Sequence, residues 1–551
     1  VRYPKPEIRN PSIRDQWFSR AKIKLSFMSE NRQTTYLVTL MVRGMKLRAA
    51  ACYRAVLARD ARYDGRFFTC VTTTGIYCRP ICPARPPKVE HCVFVPTAAA
   101  AQEAGYRPCL RCGPESSPDL DAWRGTSATV SRALKLIEGG ALDDGGDVAS
   151  LADRLQIGAR HLRRLFREHV GAAPVTVAQT RRVLLAKQLI HQTDLSMIHV
   201  AMGSGFGSVR RFNEIFQQLY HRPPSELRRR VATASASASP AISLLLPYRP
   251  PYDWESTLQF LRARAIDGLE VVTGDSYSRV IELGDSAGSI TVSHVPTKSS
   301  LRAIVRFGQL NALPVIIARI RRMFDLSADP IAISAALSAD PVLAPLVAVR
   351  PGLRLPGGWD GFEIAVRAIL GQQITVKGAT RLAARIVASL GDRVADHADV
   401  PGLTHAFPRP QWFAKVAMQR VGMPESRAVA LANIAAAIVT DPRLLDPRGD
   451  LDQSVGELRG LPGVGEWTAQ YIAMRAMGET DAFLAADVGV QRVLARDGRR
   501  PTVTQVLTRA ERWRPWRAYA MLHLWMSEAD VSPVVSIKPD RKNRIAEYDC
   551  V

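Results

Sequence analysis

Hydrophobic positions along this chain change period twice. Between residues 126 and 229 they recur at helical spacing. Leu162, Leu165 and Phe166 fall on one face of a helix expected to start at Ala159, and Arg160, His161, Arg163, Arg164 and Arg167 fall on the other. After residue 241 the pattern alternates, as in Ser278 to Leu283 and Ser289 to Val295, which predicts antiparallel strands. From Phe362 onward helical periodicity dominates. The first helical stretch is a duplication with an offset of 50, because Leu162, Phe166 and Pro174 recur as Phe212, Phe216 and Pro224. Each copy reads as a helix-turn-helix. In the first, Leu151, Ala152 and Leu155 lead into Gln156-Ile157-Gly158, whose glycine is expected to permit the turn. In the second, Met197, Val200 and Ala201 precede Gly205-Phe206, and the next helix presents Val209, Arg210, Arg211 and Asn213. A basic, polar face of this kind suits a recognition helix in the major groove; the plainer reading is a helical bundle with solvated arginines.

The same pattern sets the expected boundaries. Residues 1–45 match nothing else in the chain and read as an unassigned leader. The expected units are a cysteine-bearing domain over 46–118, the double helix-turn-helix over 126–231, an antiparallel α+β domain over 241–350 and a mainly helical domain over 351–530, with a tail at 531–551. Residues 232–240, Thr-Ala-Ser-rich with no large apolar side chain, predict a flexible linker reaching roughly 15 to 20 Å. The fold class is therefore multidomain, with small α+β, all-α, α+β and mainly α units in that order.

Charge narrows the partner. The 551 residues carry 74 Lys plus Arg against 51 Asp plus Glu, a formal charge of +23. That surplus favours a polyanion such as double-stranded DNA, held through phosphate contacts, over a merely basic surface. The longest early apolar run, Tyr36 to Val42, is too short to span a bilayer, so the expectation is a cytoplasmic, nucleoid-associated protein with no membrane partner.

Four of the eight cysteines supply the first candidate chemistry. Cys78, Cys82, Cys109 and Cys112 are spaced Cys-x3-Cys, a 26-residue loop, then Cys-x2-Cys. Short gaps turn both sulfurs of a pair toward one point, and Zn2+ takes four thiolates tetrahedrally, so one four-cysteine zinc ion is expected. A disulfide framework fits less well, since Cys52, Cys70, Cys92 and Cys550 are scattered without pairing. Arg79, Arg85, Arg107 and Arg111 surround the ligands, and guanidinium groups suit phosphate oxygens.

The segment is more specific than its spacing. Thr73-Thr74-Gly75-Ile76-Tyr77-Cys78-Arg79-Pro80-Ile81-Cys82 and Gly105-Tyr106-Arg107-Pro108-Cys109-Leu110-Arg111-Cys112 resemble the Ada family of methylphosphotriester sensors over roughly residues 50 to 115. The resemblance implies that Cys78 takes the methyl group from a methylated DNA phosphate, once per molecule, and that Thr74, Arg85 and Arg107 contact the DNA backbone. A purely structural zinc is the alternative. The duplicated unit resembles the AraC/XylS regulators, with Arg160, Arg163, Arg164, Arg210 and Arg211 on the DNA-reading helices and RNA polymerase as the implied protein partner. A monomer is expected.

A second enzyme is implied by the helical end of the chain. Leu461-Pro462-Gly463-Val464-Gly465 is followed by a helix expected from Glu466, and Gly463 and Gly465 free backbone N–H groups for a phosphate. Asp487 lies 22 residues past Gly465. Hairpin and aspartate, with Tyr252-Asp253-Trp254, Arg350-Pro-Gly-Leu-Arg-Leu-Pro356, Arg367-Ala-Ile-Leu-Gly-Gln372 and Leu522-His-Leu-Trp525, resemble the 3-methyladenine DNA glycosylase II (AlkA) branch of the helix-hairpin-helix glycosylases. That resemblance makes Asp487 catalytic, Tyr471 and Trp525 pocket aromatics, and Gln373 the residue wedged into the base stack. For Trp467 a pocket wall and a packing residue both remain open. For Asp487 the plain alternative is an N-cap or a surface charge. Trp467 stands where strand-cutting relatives carry a Schiff-base lysine, so hydrolysis without strand cleavage is implied. Ala486 replaces an aspartate that often precedes the catalytic one.

The function expected is a bifunctional transcriptional activator and DNA repair enzyme of the alkylation response. It would transfer methyl groups from phosphotriesters and excise alkylated bases. The runner-up is a regulator with a catalytically inactive glycosylase-like domain.

Overall fold

The computed structural model describes residues 39–42, 45–118, 128–143, 145–228, 241–394, 400–415, 422–446, 450–495 and 497–531. The expected linker at 232–240 lies outside them, as do the expected leader but for Thr39–Val42 and Met45, and the expected tail but for Val531. Among the described residues no helix is long and apolar enough to cross a membrane.

A short hairpin, β1 (Thr39–Val42) and β2 (Met45–Arg48), leads into α1 (Ala49–Ala58) and a four-stranded sheet. Its strands are β3 (Phe68–Val71), β4 (Ile76–Cys78), β5 (Cys92–Val95) and the two-residue β6 (Arg107–Pro108), in the order β5-β3-β4-β6, with α2 (Ala98–Glu103) packed beside them. The β4–β6 pair is parallel, and the Cys109 amide donates to Tyr77 O at 3.0 Å. Both cysteine pairs are thereby brought to one end of the sheet.

Six helices follow: α3 (Ala128–Glu138), α4 (Val148–Arg154), α5 (Ala159–His169), α6 (Pro174–Gln192), α7 (Met197–Gly203) and α8 (Val209–Tyr220). Leu162, Phe166, Phe212 and Phe216 are buried, so the duplicated apolar positions are the two cores. The first turn differs in detail from its expectation. Gln156, at φ 56°, takes the left-handed conformation, whereas Gly158 is an ordinary N-cap at φ −72°. In the second copy Gly205 does supply it, at φ 83°.

The second half opens with β7 (Ile242–Pro247), α9 (Trp254–Arg262), β8 (Glu270–Thr273), β9 (Ser276–Leu283), β10 (Ser286–Val295) and β11 (Ser300–Phe307). The strands form one antiparallel sheet in the order β7-β11-β10-β9-β8. Then come α10 (Leu313–Met323), α11 (Pro330–Leu337), α12 (Leu343–Val349), α13 (Gly361–Leu370), α14 (Val376–Leu390), α15 (Pro410–Lys415), α16 (Glu425–Thr440), α17 (Leu451–Arg459) and α18 (Glu466–Ile472). A π-helical turn, Ala473–Met477, leads on to α19 (Val488–Val493), α20 (Val503–Ala510) and α21 (Arg517–Val531).

The two halves are not strung on the linker as separate bodies. Leu189, Ile190, Phe212 and Phe216 share one buried cluster with Leu244, Leu246, Leu313 and Ile317. A Cβ added to Gly203 would stand 3.5 Å from Leu313 Cδ2, so α7 seats closely on α10. Elsewhere Arg132 donates to Glu479 at 3.0 Å, and Lys135 Nζ to the carbonyls of Met477 and Gly478 at 3.2 and 2.9 Å. The zinc-binding front is tied in through Lys187, fully buried, which donates to Cys109 O at 2.8 Å and Glu115 Oε2 at 2.7 Å. Burial opposes ionisation of Glu115, yet His191 and Lys187 together hold its carboxyl below the usual range. Lys187→Met should therefore lower stability by about 3 kcal/mol, because it leaves a buried carboxylate with only His191 facing it. A denaturant midpoint within error of the parent would count against that bond as a structural tie.

Candidate functional sites

The four cysteine sulfurs lie within 4.8 Å of one another, a cluster capable of holding one metal ion. That donor set, compact and all sulfur, fits zinc. Two sulfurs are quietened by the backbone. Arg79 N donates to Cys112 Sγ at 3.4 Å, and Arg111 N to Cys109 Sγ at 3.4 Å. Among the described residues no backbone N–H donates to the Cys78 or the Cys82 sulfur. A thiolate without such donors keeps more of its charge on sulfur and is the stronger nucleophile.

A groove of about 480 Å³ opens beside the cluster, and Thr74, Cys78, Arg85 and Arg107 all line it. Arg79 and Arg111 line it too, but Arg79 has another task. Its guanidinium pairs with Asp64, with Nε at 2.9 Å from Oδ1, and donates to Cys112 O at 3.2 Å. Arg79 is thus a brace between the two cysteine loops. The sequence reading assigned no role to Asp64, its partner.

In the duplicated helical unit, Arg160, Arg163 and Arg164 on α5, and Arg210 and Arg211 on α8, are exposed on the faces opposite the buried Leu162, Phe166, Phe212 and Phe216. Arg210 spends its charge partly on Glu214, at 2.9 Å.

In the second half a cavity of about 800 Å³ is lined by Phe260, Arg264, Trp467, Tyr471, Asp487 and Trp525 among others. Asp487 is the N-cap of α19 and also the carboxylate of this cavity, so the two sequence readings are compatible. Its Oδ1 accepts from Gly489 N at 3.0 Å, Val490 N at 3.1 Å and Trp525 Nε1 at 3.0 Å; its Oδ2 accepts from Trp467 Nε1 at 3.2 Å. Every one of these partners is a donor, an arrangement suited to an acceptor-only carboxylate. Trp467 stacks on Tyr471, with centroids 5.2 Å apart and an interplanar angle of 12°. It lines the cavity and positions Asp487 as well. If the cavity excises bases, as the sequence resemblance implies, Trp467→Phe should keep the stacking, lose the indole donor and slow base release by about tenfold. An unchanged single-turnover rate would show that the bond is dispensable.

The hairpin meets the cavity from one side. Gly463 sits at φ 89°, and a Cβ there would come within 2.3 Å of Ala430 Cβ, so packing against α16 requires the glycine. Gly465 opens α18 with free space around its α-carbon. Gln373 is exposed at the tip of the loop between α13 and α14, at φ 56°. Its neighbour Gln372 holds that loop against the hairpin, donating to Gly463 O at 3.1 Å and Thr468 Oγ1 at 2.9 Å. The sequence reading passed over Gln372, and over Arg264 and Arg475, which the cavity shares with Phe260. Arg475 stands on the π-helical turn and is buried; no periodicity of the sequence marks that turn or its direction.

Family models match successive stretches of the chain: the metal binding domain of Ada at 51–115, a helix-turn-helix domain at 151–230, the AlkA N-terminal domain at 243–360 and the HhH-GPD superfamily of base excision DNA repair proteins at 366–518. A probable bifunctional transcriptional activator/DNA repair enzyme AlkA of Mycobacterium tuberculosis is 41% identical over 479 residues, which span 86% of this chain and 95% of that protein. The DNA-3-methyladenine glycosylase 2 of Escherichia coli is 37% identical over 288 residues, 51% of this chain and 96% of that protein. Among solved structures, the 3-methyladenine DNA glycosylase of Archaeoglobus fulgidus is 22% identical with a TM-score of 0.46, covering 53% of this chain and 99% of its own.

Proposed function

Because the chain belongs to the family of bifunctional transcriptional activator/DNA repair enzymes that join an Ada-type front to an AlkA-type glycosylase, we propose that Cys78 and Asp487 are its two reacting centres. The observation that carries the excision half is the carboxylate of Asp487, held by four N–H donors inside an aromatic cavity. An alkylated base, flipped out of the duplex, stacks against Trp467, Tyr471 and Trp525, and its sugar faces Asp487. The C1′–N bond breaks with its electron pair leaving on the base. The positive charge that develops on the sugar is stabilised by Asp487, which also orients water for attack at C1′ and takes its proton. Free base and an abasic site are the products. Gly463 and Gly465 meet the phosphate backbone, and Gln373 enters the gap left in the stack.

Trp467 offers no amine, so no Schiff base forms and the strand stays intact. Borohydride added during turnover on lesion-bearing duplex should trap no covalent protein–DNA adduct; an adduct would overturn the assignment of a hydrolytic mechanism. The test of excision itself is release of free methylated base from alkylated DNA. Release by the purified full chain also decides against a regulator with an inactive glycosylase domain.

At the front, Cys78, Cys82, Cys109 and Cys112 would hold one zinc ion, which keeps the sulfurs as thiolates at neutral pH. Thr74, Arg85 and Arg107 hold the methylated phosphate in the groove. The Cys78 sulfur attacks the methyl carbon, the C–O bond breaks, and the phosphodiester leaves as an anion. The thioether has no easy return, so each molecule reacts once. Arg160, Arg163, Arg164, Arg210 and Arg211 read the promoter. RNA polymerase is the partner of the activator, the working form is a monomer, and the protein resides on the nucleoid.

A further inference from the structure

The base cavity holds two positive charges that the scheme above leaves unused. Arg264 and Arg475 both lie over the Phe260 ring, with Cζ 3.9 and 4.6 Å from its centroid. Arg475 Cζ is also 5.7 Å from the Tyr471 centroid and 5.9 Å from that of Trp525. Arg475 is 1% exposed; its Nη1 donates to Pro356 O at 2.7 Å, while Nε and Nη2 find no hydrogen-bond partner among the described residues. The cavity's other cations are neutralised. Arg367 is paired with Glu270 and Glu363, and Arg492 with Glu528. Among the described residues neither Arg264 nor Arg475 reaches a carboxylate. Burial holds Arg475 down to about 10, which leaves it charged at neutral pH, and lowers Arg264.

A cationic pair is a poor floor for a cationic base if binding alone is considered. The reaction, however, moves charge. When a methylated, positively charged base departs, its C1′–N electron pair returns to the ring, the base becomes neutral and the sugar becomes positive. When an uncharged base departs, it becomes an anion, which is then protonated by solvent, and the sugar again becomes positive. In both cases one unit of positive charge passes from base to sugar. The aromatic wall has cations at one end and Asp487 at the other: Trp525 bonds Asp487 through Nε1 at 3.0 Å and turns its ring toward Arg475. Charges fixed in this way favour that transfer whatever the initial charge of the base.

We propose that Arg264 and Arg475 form a field-setting pair, opposed to Asp487, that accelerates loss of the base while weakening the ground-state hold on cationic lesions. The proposal rests on the assignment of this cavity as the excision site.

The expected signature is a split between chemistry and binding. In the full-length protein, Arg475→Met should slow the single-turnover rate by roughly tenfold on duplexes carrying either 7-methylguanine, a cation, or hypoxanthine, a neutral base, which is the order expected for one charge several ångströms away in a protein-like dielectric. Affinity for the 7-methylguanine duplex should hold or rise. Arg475→Lys should recover most of the rate. Arg264→Gln, at a partly exposed position, should act in the same direction and carries the test if Arg475→Met does not fold. Loss of rate and affinity together, or no change in rate, would overturn the proposal. Asp487→Asn, run in parallel, separates the two levels: if it leaves release intact, the cavity assignment fails; if it abolishes release while the arginine variants do nothing, only the field is wrong.

Discussion

Asp487→Asn is expected to cut base release by about a thousandfold or more while leaving fold and DNA affinity in place. Removing one preorganised electrostatic group from a reacting centre typically slows an enzyme by roughly 10²- to 10³-fold. Here the same oxygen atoms also orient the attacking water, a role worth roughly 10²- to 10⁴-fold on its own. Asparagine is the informative replacement because it is also a good N-cap. It can still accept from Gly489 and Val490 at the start of α19, which an alanine could not, at a cost of about 1 kcal/mol. What it cannot do is serve both Trp467 and Trp525, since its second atom is a donor facing an indole N–H. The check is single-turnover release of 7-methylguanine beside a binding isotherm on abasic DNA. A rate within tenfold of the parent, with a native melting profile, would remove Asp487 from the mechanism.

Cys78→Ala is expected to abolish methyl transfer outright, because the Cys78 sulfur lines the groove with Thr74, Arg85 and Arg107 and takes no backbone hydrogen bond. Mass spectrometry of peptides after incubation with methylated DNA locates the group; a methyl on Cys82, Cys109 or Cys112 in the parent protein would sink the assignment. In the parent, methylation should also tighten DNA binding. Four thiolates around one divalent cation leave a local charge of −2, and a thioether at Cys78 leaves −1. Like charges at 4 Å repel by roughly 4 kcal/mol at an effective dielectric of 20, so easing part of that raises affinity severalfold. The gain should shrink as salt rises. Equal affinity before and after methylation at low salt, with the methyl confirmed on Cys78, would exclude the electrostatic switch.

The chemistry of this chain was legible in its sequence where function is carried by short, local spacing. The two cysteine pairs, the duplicated Leu-x3-Phe positions and the hairpin with Asp487 each lie within a few turns of chain. Side chains that act across long separations were not legible. Arg264 and Arg475 are 211 positions apart and meet only because the chain just past α9 and the π-helical turn line one cavity. Arg79 looked like one phosphate-binding arginine among four until Asp64 was seen to claim it. The flexibility expected from the linker's composition says nothing of the apolar surface on either side. Hydrophobic periodicity marks that a face is buried, not against what, so the shared core of α6, α8, β7 and α10 had no signature of its own.

That shared core bears on how one molecule engages DNA at more than one place. Two binding modules on a flexible tether enjoy an effective concentration set by tether length, and lengthening or shortening the tether tunes it smoothly. A rigid joint replaces reach with angle. The recognition helices and the hairpin either present surfaces that a single duplex can follow, with whatever bending that demands, or they compete for it. Cutting and rejoining residues 232–240 with longer insertions should then leave avidity unchanged, and a single apolar-to-charged substitution in the joint, such as Leu313→Glu, should alter it.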